Sequence, residues 1–214
     1  MSNLCIYCGK KEPNESDHIP PKSFFPEPRP SNLITVPSCS DCNREYGKKD
    51  EIVRNLLTSL DTTEIHQAVI EQLGDKRNRA LERNGGIHSF KYLLENITLV
   101  DRFSESGSYL GKFPAFKLDT DVMDKFIERM ARGLLFHLTG IGFGNYTFEW
   151  KLSPPTSDFY KLPENIKTFF LSGYKETFGD SVFSYAGYTW PGKISSLWLM
   201  SFYSGIEFMI IVRD

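Results

Sequence analysis

Between residues 40 and 60 the apolar positions Ile52, Val53, Leu56, Leu57 and Leu60 recur at near-helical spacing. The pattern predicts a helix over 40–60, with Ser40 or Asp41 as its cap. Asp61-Thr62-Thr63-Glu64 reads as a capping box, and Ile65, Ala68, Val69 and Leu73 form the apolar stripe of a second helix. That helix should reach about Asn84, where Asn84-Gly85-Gly86 stops it. A third helix runs from Asp119-Thr120-Asp121 to about Thr139, burying Met123, Phe126, Ile127, Met130, Leu134 and Leu135. Between these helices, Ile97 to Val100 reads as a strand and Gly107 to Gly111 as a turn. Gly140 to Gly144 is glycine-rich but lacks the lysine and following helix of a phosphate loop, so it reads as a turn.

From Tyr146 the period changes. Tyr146 to Leu152 alternates, a helix follows Leu162-Pro163 through Phe170, and strands are expected at 181–188, 196–203 and 206–212. Ser204-Gly205 separates the last two as a hairpin turn. The C-terminal third is therefore an antiparallel sheet with a helix or two packed on it. At the other end, seven prolines between 12 and 38 forbid a helix. Leu33 to Val36 is a short strand stopped by Pro37, so the order there is loop, strand, loop, strand, helix. Phe24 and Phe25 are expected in the core. The fold class is α+β, with one module at 1–60, expected to fold by itself, and a helical and antiparallel-sheet region at 61–214 of unassigned role, for which substrate selection and regulation are the two options.

Composition adds bounds. The chain has 214 residues, and 40% apolar with 14% aromatic content supports a sizeable core. No apolar run reaches the length of a membrane span. The net charge is −2, and within residues 1–55 eight basic residues face eight acidic ones. This argues against tight non-specific binding to DNA, which depends on neutralised phosphates. Lys76 to Arg83 is a basic helix end, read first as a solvated face, and the aromatic strands near Trp190 and Trp198 are read first as core; the alternative for either is a surface that holds nucleic acid, a partner or a second copy of the chain.

All four cysteines lie near the N-terminus, as Cys5-x2-Cys8 and Cys39-x2-Cys42. A two-residue spacer lets both sulfurs of a pair reach one tetrahedral ion. The alternatives are two disulfides or four unconnected buried thiols. Disulfides need an oxidising compartment. The start of the chain has no basic run followed by an apolar core, which sets a cytoplasmic expectation and favours structural zinc. Between the pairs stand Asp17-His18, followed by Ile19-Pro20-Pro21, and Asn32; Asn43 follows Cys42 directly. His66 and His88 have no ligand partners at recognisable spacing, and His137 is read as a packing or helix-end residue.

Cys5, Cys8, Asp17, His18, Asn32, Cys39, Cys42 and Asn43 together resemble the HNH nucleases, in the subclass whose ββα-metal core is tied by a four-cysteine zinc knuckle. The resemblance covers about the first quarter of the chain. It implies metal-dependent hydrolysis of DNA phosphodiesters, with His18 as general base and Asn32 fixing the loop that carries it. Asp17 and Asn43 would hold one Mg²⁺ or Mn²⁺. The family name expects a histidine at the third position, where this chain has Asn43, as in a recognised variant; an all-oxygen set favours Mg²⁺ over a soft metal. Asp17 and His18 are adjacent, so on a strand they point to opposite faces, and a bulge or strand end is needed to bring both to one site. Lys22, Arg44, Lys48 and Lys49 are candidate nucleic-acid contacts. DNA is the expected partner, with RNA and a homodimer left open. Two other readings stand beside this one: a zinc knuckle that grips nucleic acid without cutting it, and a defence nuclease gated by a ligand or partner.

Overall fold

The structure, a computed structural model, describes residues 4–63, 65–82, 91, 94–104, 106–117, 120–153, 163–190 and 193–214, except for the side chains of Lys48 and Leu81. Strands β1 (Glu15–Ile19) and β2 (Ile34–Ser38) form an antiparallel pair, with Asp17 opposite Val36 and His18 opposite Thr35. Helix α1 (Ser40–Leu57) follows at once. The β2 strand runs one step past Pro37, where the sequence predicts a stop. Pro37 lacks an N–H, but its carbonyl accepts the Ile6 N–H at 3.2 Å, so the position still contributes to the fold.

The cap of α1 is neither Ser40 nor Asp41. Cys39 occupies the N-cap with extended backbone and no side-chain bond. Asn14 supplies the missing acceptor, its Oδ1 taking the Ser40 N–H at 2.8 Å. The expected capping box also acts elsewhere. Thr63 hydroxyl donates to the carbonyls of Leu57 and Leu60, closing the end of α1. Ile65 is therefore not on a buried stripe and is 79% exposed, whereas Ala68, Val69 and Leu73 are buried as expected. The second helical stretch is a π-helical turn (Val69–Leu73) running into α2 (Gly74–Glu82). Glu64, the expected stop at 84–86 and His88 lie outside the described residues.

Strands β3 (Ile97–Phe103) and β4 (Tyr109–Phe116) make a hairpin. Helix α3 (Thr120–Thr139) buries all six apolar residues predicted for it. Then come β5 (Thr147–Ser153), α4 (Glu164–Ser172), β6 (Tyr174–Phe178), β7 (Phe183–Thr189), β8 (Ser196–Phe202) and β9 (Ile206–Arg213). These five strands form one antiparallel sheet in the order β5-β9-β8-β7-β6. Nothing in the pattern of Tyr174 to Phe178 predicts β6: its three middle residues are polar, and in the fold only Phe178 is buried. Tyr203 and Ser204 take positive φ, 52° and 51°, in the β8–β9 turn. Among the described residues no helix is long and apolar enough to cross a membrane.

One hydrophobic core links the N-terminal strands to the rest. Ile19, Phe24, Phe25, Val53 and Leu57 share it with Met123, Phe126, Leu134, Phe202 and Phe208. Phe24 stacks on Phe126 with centroids 5.5 Å apart, and the Tyr203 hydroxyl donates to the Phe24 carbonyl at 3.1 Å. Gly133 lets α3 approach β1 closely. A Cβ there would lie 2.4 Å from Ile19 Cγ1, so no side chain fits. This close approach is what brings α3 to the cleft beside β1.

Candidate active site

The four cysteine sulfurs lie within 4.8 Å of one another, and none is in a disulfide. Cys8 and Cys39 sulfurs are 3.9 Å apart. A tetrahedral ion with ligands at about 2.3 Å sets its sulfurs roughly 3.8 Å apart, so the cluster suits zinc. Two local features build it. Gly9 follows Cys8 with φ +61°, and a Cβ there would meet Phe143 at 2.4 Å, so the first knuckle needs glycine on both counts. Cys39 and Cys42 stand at the N-cap and first turn of α1, where the helix dipole favours negative sulfur. Lys11 pairs with Asp41 across the two knuckles.

Beside the knuckle, β1 and α1 line a cleft of about 330 Å³. Asp17, His18, Lys22 and Asn43 all border it. The β1 register is regular, so no bulge turns Asp17 and His18 to one side. The strand simply ends one residue after His18. His18 is half-buried, and burial first, then the positive charges of Lys22, Arg129 and Arg29, hold its pKa below the ordinary value against the pull of Asp17. Asn43 donates Nδ2 to Glu15 Oε2 at 2.6 Å, and its Oδ1 has no hydrogen-bond partner among the described residues.

Asp17 is fully engaged. Oδ2 accepts the Tyr7 hydroxyl at 2.6 Å and Arg129 Nε at 2.8 Å. Oδ1 accepts the His18 backbone N–H at 2.8 Å and Arg129 Nη2. Arg129 Nη1 reaches on to Asp50. The guanidinium is 2% exposed and lies over the Tyr46 ring, 5.2 Å from its centroid. Burial alone would lower the Arg129 pKa, but the Asp17 bonds and the Asp50 and Asp17 charges raise it, so it stays charged. Asp50 is pushed up to about 6, first by burial; Arg129 opposes this and the Asp17 charge adds to it.

The other expected residues lie apart. Asn32 is exposed in the turn before β2 and does not border the cleft. Arg44 is exposed on α1, away from the cleft lining. Lys49 turns toward α3, 3.8 Å from Asp121. The side chain of Lys48 lies outside the described residues. In the basic end of α2, Lys76 donates to the Ser23 carbonyl at 3.2 Å and Arg77 to that of Thr58, so both tie the chain together. His66 Nε2 meets the Asp180 carbonyl at 3.1 Å, and His137 stands 4.0 Å from Glu176. Trp198 is wholly buried.

Sequence reasoning missed Asp50, Glu51, Arg54 and Arg129, which also border the cleft. Asn43, Gly47, Asp50, Glu51 and Arg54 recur at three- and four-residue steps on α1, so one helix face carries them and the spacing was available. For Arg129 the only signal was a charge set among the apolar positions of α3.

Residues 5–49 match the HNH endonuclease family model. That span holds the knuckle, His18 and Asn43, and it ends one residue before Asp50. Searches of curated proteins and of solved structures found no match to the chain. The HNH segment, with four cysteines positioned for zinc, fits the zinc-knuckle subclass of ββα-metal nucleases. The HNH match covers about a fifth of the chain, so Arg129 reaches the cleft from outside it.

Proposed function

We propose that this protein is an endonuclease that hydrolyses DNA phosphodiester bonds with His18 as general base. The observation that carries the reading is His18 itself: a half-buried imidazole of the HNH segment, held below its ordinary pKa, at the border of the cleft. Such a group is neutral at pH 7 and can accept a proton. His18 removes a proton from water, the resulting hydroxide attacks phosphorus, and the bond to the leaving oxygen breaks, that oxygen taking a proton from solvent while His18 later returns its own to solvent. Lys22, exposed on the same rim, offers a positive charge to the phosphate.

Mg²⁺ or Mn²⁺ is the cofactor expected with this chemistry, held by Asp17 and Asn43. Asn43 has an open amide oxygen. Asp17 does not fit as it stands: a carboxylate offers about four lone-pair directions, and four donors occupy them. No step is therefore assigned to an ion. Incubation with supercoiled plasmid, linear duplex and RNA, with and without Mg²⁺ or Mn²⁺, tests the reading. Nicking of DNA that requires His18 supports it; binding without cleavage would favour the zinc-knuckle grip instead.

A further inference from the structure

The disagreement at Asp17 points to a different task for that residue. Its side chain is 4% exposed, and its partner Arg129 is 2% exposed and stands 112 residues later in the chain. Two Arg129 nitrogens grip the two oxygens of Asp17, and the third reaches Asp50 on α1. Asp17 in turn accepts the backbone N–H of His18. The guanidinium thus ties β1, which carries His18, to α1, which carries Asn43. The fork is planar and its donors diverge at fixed angles, so it sets the relative placement of the two elements in a way a flexible ammonium does not.

We propose that Arg129 is a positioning residue for this site, and that it makes Asp17 a strut fixing His18 rather than a ligand for a divalent ion. The inference rests on His18 as the base, but its claim about Asp17 stands separately. An ion drawn to Asp17 would have to displace a buried charge-assisted bond, leaving Arg129 half-paired. Such a loss is costly for a pair this deeply buried. The strut also makes α3 part of the nuclease centre, although the HNH match ends at residue 49.

The test uses full-length, zinc-loaded protein. Mn²⁺ affinity is measured by titration calorimetry for wild type and Asp17→Asn. The kcat and KM of Arg129→Lys are measured on a DNA duplex, and the His18 backbone amide resonance is followed in both variants. The strut predicts Mn²⁺ affinity within about twofold of wild type for Asp17→Asn, because no ligand is lost. It predicts a kcat lower by about 10²-fold in Arg129→Lys with KM little changed, the scale of a misplacement near 1 Å. The His18 amide should shift in both. A loss of Mn²⁺ affinity above tenfold in Asp17→Asn would overturn the inference, as would wild-type kcat and an unmoved amide in Arg129→Lys. Should Arg129→Lys fail to fold, the Asp17→Asn titration and amide shift decide alone. A wild type that neither cuts DNA nor binds Mn²⁺ refutes the nuclease reading, and the His18 amide then judges the strut by itself.

Discussion

Arg129 and Asp17 form a buried, two-point ion pair: Nε donates to Oδ2 at 2.8 Å and Nη2 to Oδ1. Removing one partner of such a pair leaves an uncompensated charge inside the protein. Arg129→Met would strand the carboxylates of Asp17 and Asp50 together. We expect it to cost about 3–5 kcal/mol, seen in urea unfolding. For a chain of this size that corresponds to a melting temperature lower by about 6–20 °C.

The same pair bears on how much of the chain the site needs. A protein ending at Leu60 would expose Phe24, which packs against Phe126 and Phe202 in the whole molecule, and Ile19 and Phe25, which share the same core. It would also leave Asp17 without Arg129. We expect this truncation, loaded with zinc, to show no cooperative thermal transition. A sharp melt would mean that residues 1–60 close a core of their own.

Zinc should bind at one ion per chain. Cys39→Ser removes one of four thiolates and frees the start of α1, so elemental analysis should find the ion lost, and circular dichroism should find helix lost with it. Zinc-free wild-type protein, purified without chelator, would contradict the assignment.

Asp50 gives a pH dependence with a definite sign. Its folded pKa, about 6, lies above the usual 3.8, so the folded state holds an extra proton between these values. The stability it contributes is present below about pH 4 and is lost as pH rises through 6. The groups facing it are Arg129, Asp17 and Arg54. Asp50→Asn should remove this fall, on the order of 2–3 kcal/mol, from unfolding free energies measured between pH 4 and 6.5.

The parts of the fold set by neighbouring residues were legible in the sequence. The two Cys-x2-Cys pairs, the buried face of α3 and the β8–β9 hairpin each follow from spacing or turn chemistry within a few residues. Contacts across the chain were not. Nothing near Asn14 says that it will cap α1, and nothing near Thr63 says that it will close α1 rather than open the next helix. Asp17 reads locally as a ligand beside a base. Only the approach of α3 across Gly133 supplies the arginine that occupies its oxygens.

His18 carries the central claim, and the most direct measurement is DNA cleavage by wild type and His18→Ala, side by side, with zinc content and melting curves as controls. The imidazole is not one of the zinc-binding groups, so both controls should match wild type. We predict that cleavage falls by about 10²–10⁴-fold in the variant. A His18→Ala protein that keeps its zinc and its fold and still cuts DNA at the wild-type rate would contradict the account.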